Sequence, residues 1–150
     1  MMTSEPEHTI FDGNMNMIDV YHSKLDAGGR LYIPREVQEV IGKAFQVTFS
    51  SEKCLNVFSV ERWQEMLDKI AAMGKEKQLK MRPLFFHAES FEVDDQGYIV
   101  LSKHLKDFAA LKNKVTFVGR GNAMFVDHGN TVEIWDSDIW KARPSERPSS

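Results

Sequence analysis

The sequence predicts an α+β fold in which one structural unit is used twice. A nine-residue pattern occurs at 26–34 and again at 94–102: an aspartate, two loop residues, a glycine, a large residue and an apolar run. The two aspartates, Asp26 and Asp94, are 94 − 26 = 68 residues apart, and the two glycines keep this offset. In each copy, helical and then strand-like spacing of apolar residues follows the loop. We therefore expect two tandem units that each combine helix and strand.

The first copy predicts a short helix and two strands. Apolar residues within 35–42 have helical spacing, and Gly42 is suited to end that helix. Residues 45–49 alternate between apolar and polar, which is typical of a half-buried strand. A second strand is expected at 55–59, where Ser59 can cap the helix that follows.

The second copy repeats this order of elements. Residues 103–111 have helix-compatible spacing, and 115–118 read as a strand. Another strand is expected over 132–135, followed by Asp136 as the cap of a last helix.

The second copy is also longer than the first. Trp63 and Trp140 follow equivalent strands, and their offset is 140 − 63 = 77, so 77 − 68 = 9 residues have been added. Turn-forming residues place this insertion within 121–130, where 123–126 have the composition of an additional strand in a longer hairpin. We expect both tryptophans to pack in the core rather than to form a stacking surface.

Between the copies the chain is expected to be helical, and its ends irregular. Apolar residues at 63–70 have helical spacing, Gly74 interrupts it, and 75–87 form a second helix that Pro83 kinks or ends. The first 15 or so residues lack periodicity, and the tail from Lys141 onward has two prolines, three serines and no apolar run. The expected division is a flexible segment at 1–17, a first repeat with helices at 18–86, a second repeat at 87–142 and a disordered tail at 143–150.

Composition sets limits on the class of protein. The 150 residues are 42% hydrophobic, which suffices for a core, and no run of about 18 apolar residues predicts a membrane span. No secretory signal is visible, so the expected location is the cytoplasm. The single cysteine, Cys54, excludes an internal disulfide and is expected to pack as a small apolar residue. The net charge of −3 means that a DNA-binding protein of this composition must concentrate its positive charge on one face or gather it there by oligomerisation.

No arrangement of residues predicts catalysis, a metal or a cofactor. The histidines are not at ligand spacing, and one cysteine cannot complete a site. The acidic pairs at 94–95 and 136–138 fall at a turn and a helix start, where carboxylates are ordinary. Gly28 and Gly29 lack the lysine and hydroxyl residue of a phosphate-binding loop. We therefore expect a protein that is not an enzyme. The five histidines are His8, His22, His87, His104 and His128.

The first loop, residues 26–30, is the strongest candidate site. Asp26 can turn the chain through its side chain, and Gly28 and Gly29 permit positive φ. Arg30 at the loop exit could pair with Asp26 and only staple the turn, or it could reach phosphate or a guanine edge. The basic neighbours of the loop are Lys24 and Arg35.

The first loop resembles the D-x-K-G-R-[apolar]-x-[apolar]-P signature of the MraZ family, within the AbrB/SpoVT/MazE superfamily. The resemblance covers roughly residues 18–142 and includes the second copy, the stretch at 118–121 and the ending at 132–136. It implies two AbrB-like swapped-hairpin β-barrel halves in a pseudo-twofold arrangement with flanking helices. It also implies a nucleoid-associated transcriptional regulator that binds double-stranded DNA repeats upstream of the division and cell-wall genes as a ring-like homo-oligomer.

Carried over to this sequence, the signature makes Arg30 the expected DNA-contacting residue. In the second loop, residues 94–98, Asp94 and Gly97 match the signature. The family's lysine is Gly28 here, its second arginine is Tyr98, and its second proline is Ser102. The formal charge is 0 for the first loop and −2 for the second. Either one loop per chain reads DNA, or the second loop has another task.

Two alternatives to a DNA-binding regulator stay open. The first is an oligomeric scaffold or interaction protein with weakened DNA binding, which Gly28 and Tyr98 favour. The second is an antitoxin-like module that grips a toxin with its tail. The absence of apolar anchors in 141–150 counts against that module.

Overall fold

The computed structural model describes residues 8–11, 16–122 and 131–143. These residues form the expected mixture of helix and strand, with a seven-stranded sheet, a separate two-stranded ribbon and five helices. Every strand pairing among them is antiparallel. None of the helices so described has the length and apolar character to cross a bilayer.

The strands are β1 (His8–Phe11), β2 (Asn16–Lys24), β3 (Arg30–Tyr32), β4 (Ala44–Phe49), β5 (Leu55–Ser59), β6 (Glu89–Glu92), β7 (Tyr98–Val100), β8 (Lys114–Asn122) and β9 (Thr131–Asp136). The helices are α1 (Arg35–Ile41), α2 (Val60–Ala71), α3 (Lys75–Phe86), α4 (Lys103–Phe108) and α5 (Ser137–Ala142).

The two copies are interleaved rather than side by side. The large sheet has the order β1-β2-β8-β9-β5-β4-β6, so β2, which leads into the first loop, pairs with β8 of the second copy. In the same way β6, which leads into the second loop, pairs with β4 of the first copy. The strands that leave the loops, β3 and β7, pair with each other. Each copy therefore completes the structure of the other.

The closed barrels that the family resemblance implied are not confirmed. The seven-stranded sheet ends at β1 on one side and at β6 on the other. The ribbon strands β3 and β7 are three residues each and form a sheet of their own. Because these short strands pair with one another, they do not link the edges of the larger sheet among the described residues.

A shared apolar core fixes the ribbon beneath the loops. Leu31 of β3 and Ile99 of β7 face each other in register and are buried in one cluster with residues of both copies. Arg30 and Tyr32 flank Leu31 and are exposed, as the alternation of a strand requires. Burial of one ribbon face in the core thus directs Arg30 to solvent.

Several helix ends follow the sequence prediction. Gly42 follows α1 with φ of +83°, the Ser59 side chain accepts a hydrogen bond from the Arg62 N–H at the start of α2, and Asp136 caps α5. The helix α4 ends earlier than expected, because Ala110 adopts φ of +51° and turns the chain.

Pro83 does not end its helix, so of the two expected effects, a kink or an end of the helix, the end is wrong. The helix α3 continues to Phe86, three residues beyond the proline. Pro83 cannot donate to the carbonyl of Leu79. Both residues are exposed, so water can satisfy that carbonyl.

The ends of the chain hold more structure than the sequence indicated. The strand β1 and the start of β2 fall in the segment that lacks periodicity, and they pair with each other. Lys141 and Ala142 close α5. Arg143 places its guanidinium 4.6 Å from the centre of the Trp135 ring. The remaining tail (144–150) and the expected extra strand (123–126) lie outside the described residues.

Two core expectations can be compared directly. Cys54 is fully buried, as expected, and burial raises the pKa of its thiol to about 12. Trp63 and Trp140 are only half-buried. Trp140 packs against a small cluster of buried residues, and Trp63 contacts the rings of Phe58 and Phe85.

Candidate nucleic-acid interface

The two loops fold in the same way around their aspartates. Asp26 Oδ1 accepts hydrogen bonds from the backbone N–H groups of Gly28 and Arg30, both at 2.9 Å. Asp94 Oδ1 accepts from the N–H groups two and four residues further on, at 2.8 and 2.9 Å. The turn is therefore stabilised by the carboxylate and the backbone. Of the two alternatives for the Arg30 side chain, the one in which it pairs with Asp26 to staple the turn is not seen, because Asp26 binds the Arg30 backbone N–H instead.

Glycine is required at one equivalent position in each loop. Gly29 has φ of +90° and Gly97 has φ of +92°. A Cβ at Gly29 would lie 2.9 Å from the carbonyl oxygen of Leu101, and one at Gly97 would lie 2.8 Å from the ring of Tyr32. The Gly29 and Gly97 carbonyls accept hydrogen bonds from Leu101 and Ile33, which ties each loop to the other copy. Positive φ was also expected as an option at Gly28, but that residue does not adopt it.

The Arg30 side chain crosses from the first loop to the second. Its Nη2 lies 4.0 Å from Asp94 Oδ2, and its guanidinium carbon lies 4.1 Å from the centre of the Tyr98 ring. The Arg30 side chain is 44% exposed, so it remains accessible to a ligand. The pKa of Asp94 is lowered, first by the hydrogen bond from the Tyr98 N–H and also by the nearby charge of Arg30.

Two adjoining grooves beside the first loop are lined by cations. Lys24 and Lys114 are directly opposed in the β2–β8 pair and line one groove together with Arg30. The other groove lies between the first loop and α4. We call these cations the basic surface: Lys24, Arg30, Lys103, Lys106, Lys112 and Lys114.

The basic surface concentrates charge in an acidic chain. Its six cations share the groove walls with Asp26 and Asp107, and Asp94 lies against Arg30, so the local formal charge is 6 − 3 = +3. The whole chain has a net charge of −3. The charge concentration that DNA binding would require is therefore present on one side of the first loop.

The second loop borders one of these grooves through Tyr98 but contributes no cation to either groove. A Cβ added at Gly29 would lie 3.4 Å from Lys106 Nζ. A Cβ added at Gly97 would lie 3.5 Å from Gln38 Nε2. Lys106 and Gln38 are 68 residues apart, so they are equivalent positions with different charge. The two loops thus have the same backbone conformation but differ in the charge of the residues around them.

The structure brings together some of the predicted site residues and separates others. Lys24 and Arg30 line one groove. Arg35 lines neither groove, and its Nε lies 3.9 Å from Glu39 Oε2 on α1. The basic residues that the sequence analysis missed all belong to the second copy. Their signal was a lysine-rich stretch at 103–114, but only the interleaved topology places that stretch beside the first loop.

One histidine pair was also missed. His87 Nδ1 lies 2.8 Å from His104 Nε2, although spacing along the chain gave no sign of it. Both rings are close to Phe49. Within the described part of the chain, no group of three or more histidine, cysteine or acidic side chains could hold a metal ion.

Comparison with known proteins is consistent with these features. A family profile described as "MraZ protein, putative antitoxin-like" matches residues 18–82. A protein named transcriptional regulator MraZ from Carboxydothermus hydrogenoformans is 33% identical over 80% of both chains. Proteins of the same name from Heliobacterium modesticaldum and Ligilactobacillus salivarius are each 33% identical, over 83% and 84% of this chain and 87% and 85% of their own lengths. The chain therefore belongs to the MraZ family.

Proposed function

We propose that the protein is a transcriptional regulator that binds double-stranded DNA through the basic surface. The observation that carries this proposal is the local charge of +3 around the first loop, Asp94 included, in a chain whose net charge is −3. Neutralising phosphates and releasing their counterions supplies much of the affinity of proteins for DNA. The names of the MraZ relatives support a role in transcription.

The cations of the basic surface suit two kinds of contact. Arg30 lies at the start of β3 and is held by groups on the neighbouring loop, which suits recognition of a guanine edge by a planar, preorganised guanidinium. Lys24, Lys112 and Lys114 are exposed on flexible side chains, which suits contacts to backbone phosphates. In this proposal the lysines supply affinity, and Arg30 supplies sequence preference.

The proposed targets are repeats upstream of the division and cell-wall gene cluster, bound by a ring-like homo-oligomer in the nucleoid. One reading arginine per chain gives weak binding, and linked copies gain affinity through effective concentration. An apolar groove between α2 and α3 offers a surface for a second copy. Leu79 in this groove is 61% exposed, and Phe86 nearby on α3 is 79% exposed. Each protomer of the proposed ring would contain both repeats, at 18–86 and 87–142.

DNA binding is tested first without assuming an operator. A pool of randomised duplexes is selected on the full chain, and the enriched duplex is compared with a scrambled one by fluorescence anisotropy. We expect enrichment of a repeated motif and tighter binding to it. An unenriched pool together with no salt-dependent binding would favour a scaffold that has lost DNA recognition.

Assembly is tested by light scattering with matched variants. Leu79→Glu places a charge in the α2–α3 groove, and Val40→Glu places one at a similarly exposed apolar residue on α1. We expect a closed oligomer for wild type and Val40→Glu, and a smaller species for Leu79→Glu. A monomer for wild type at micromolar concentration would exclude the ring.

A further inference from the structure

The second loop contacts Arg30, the residue of the first loop that is proposed to recognise a base. Tyr98 occupies the position that Arg30 occupies in the first copy, since both follow their aspartate by four residues. In the β3–β7 ribbon, Tyr98 is paired with Tyr32, two residues along from Arg30. This register lets the guanidinium reach back over the Tyr98 ring. The second loop therefore supplies an aromatic ring against Arg30 rather than an arginine of its own.

Three groups fix this contact. The Tyr98 ring lies below the guanidinium at 4.1 Å, a distance at which cation and ring attract each other. The Asp94 carboxylate adds a weak attraction, with its Oδ2 4.0 Å from Arg30 Nη2. Tyr32 holds the Tyr98 ring in turn, edge to face, with the ring centres 5.4 Å apart. Arg30 is thus held on one side by an aromatic face and on another by a negative charge.

The charge of the second loop argues against a contact of its own with phosphate. Residues 94–98 have a formal charge of −2, and a tyrosine hydroxyl cannot neutralise a phosphate. The Asp94 carboxylate divides its two oxygens between two tasks. Oδ1 stabilises the turn, and Oδ2 faces Arg30. Asp94 Oδ2, which accepts no hydrogen bond within the turn, is therefore the oxygen that faces Arg30.

We infer that Tyr98 and Asp94 are positioning residues that hold Arg30 in one direction for base recognition. The inference rests on the proposed function of Arg30. A long side chain that is ordered before binding loses less conformational freedom when it meets a base edge. In this inference the second loop controls sequence discrimination through Arg30 rather than through a DNA contact of its own.

The aromatic support is tested by Tyr98→Leu with Tyr98→Phe as the matched variant. Phenylalanine keeps the ring face and leucine removes it, and neither changes the charge. We expect Tyr98→Leu to lower the ratio of affinities for the selected and single-base-substituted duplexes about two- to fivefold, the range for an exposed cation–ring contact. The slope of log affinity against log salt should not change, because no phosphate contact is lost. Tyr98→Phe should match wild type in both measurements.

The carboxylate is tested by Asp94→Asn with Asp95→Asn as its control. Both changes remove one negative charge from the second loop. Asparagine retains an acceptor oxygen for the turn at position 94, and no ion pair is recorded for Asp95 in the described structure. We expect Asp94→Asn to lower discrimination and Asp95→Asn to leave it unchanged. Equal losses in both would assign the effect to loop charge and would overturn the positioning role of Asp94.

A measurement on the free protein separates the inference from the proposed function. Relaxation of the Arg30 Nε–Hε group should show an ordered side chain in wild type and Tyr98→Phe, and a mobile one in Tyr98→Leu. A mobile Arg30 in wild type would overturn the inference. If Arg30→Ala weakens binding but Tyr98→Leu leaves discrimination intact, only the inference fails. If Arg30→Ala binds as well as wild type, the proposed contact itself fails and the inference falls with it.

Discussion

The backbone of Gly97 lies against the ring of Tyr32 so closely that a Cβ on Gly97 would be 2.8 Å from that ring. Gly29 is in the equivalent place against the carbonyl of Leu101. Both glycines also have φ near +90°, which other residues adopt at a cost. These two positions are where the copies meet, so the loops and the ribbon depend on them.

Substitution of these glycines should destabilise the fold. Gly29→Ala and Gly97→Ala should each lower the free energy of unfolding by about 1–3 kcal/mol, from positive φ together with the close contact. Chemical denaturation measures this change. Gly28→Ala is the control, because its Cβ would meet its nearest atom at 3.4 Å and its φ is not positive. A cost as large at Gly28 as at Gly29 would contradict this explanation.

Much of the fold could be predicted from the sequence, because local patterns determine it. The repeated aspartate and glycine indicated two equivalent loops, and apolar spacing indicated α1, α2 and the strands β4, β5, β8 and β9 but not β2 or β6. The pairing of the two copies could not be predicted, since it depends on contacts between residues far apart in sequence. For the same reason Asp26 was the only partner for Arg30 that the sequence suggested, as one of two alternatives, whereas the structure places Asp94 of the other copy beside it.

The basic surface shows the same limit. Lys112 and Lys114 follow the second loop in sequence, so local reasoning would assign them to the second site. Because β2 pairs with β8, they lie beside the first loop instead. The strand β1 was missed for a different reason, since four residues are too few to show a periodic pattern.

The lysines of the basic surface should determine the salt dependence of binding. Lys112→Gln and Lys114→Gln should each reduce the slope of log affinity against log salt by about 0.9, the value for one lost phosphate contact on duplex DNA. The preference between sequences should change little. Lys77→Gln on α3, outside the basic surface, is the control and should keep the wild-type slope. Equal slopes for all three variants would mean that the grooves do not contact DNA.

A cation in the second loop should raise the affinity for DNA and lower the discrimination between duplex sequences. Tyr98→Arg removes the ring below Arg30 and places a like charge next to it. We expect tighter binding to every duplex, because a cation is added beside the basic surface, together with a smaller difference between selected and scrambled sequences. Titrations of both duplexes at two salt concentrations measure these effects. Increased affinity with unchanged discrimination would show that Tyr98 does not position Arg30.

Cys54 should report global unfolding. Burial raises the pKa of its thiol to about 12, so at pH 8 only about one molecule in ten thousand carries the reactive thiolate. The side chain is also inaccessible in the folded protein. Alkylation with iodoacetamide should therefore be slow in buffer and should become fast across the unfolding transition in urea. Rapid labelling of a protein that is folded by circular dichroism would contradict this burial.

The central claim is that Arg30 reads DNA, and binding of Arg30→Ala and Arg30→Lys to the selected duplex tests it most directly. Removing the guanidinium should cost roughly 1–3 kcal/mol per binding loop and relax sequence preference, because a bidentate contact to a base is lost. Lysine should recover affinity through its charge but not the preference. Folding should be nearly unchanged, since the turn is held by the Arg30 backbone N–H rather than by its side chain. Arg30→Ala that binds the duplex as tightly as wild type but melts several degrees lower would show that Arg30 stabilises the ribbon and does not read DNA.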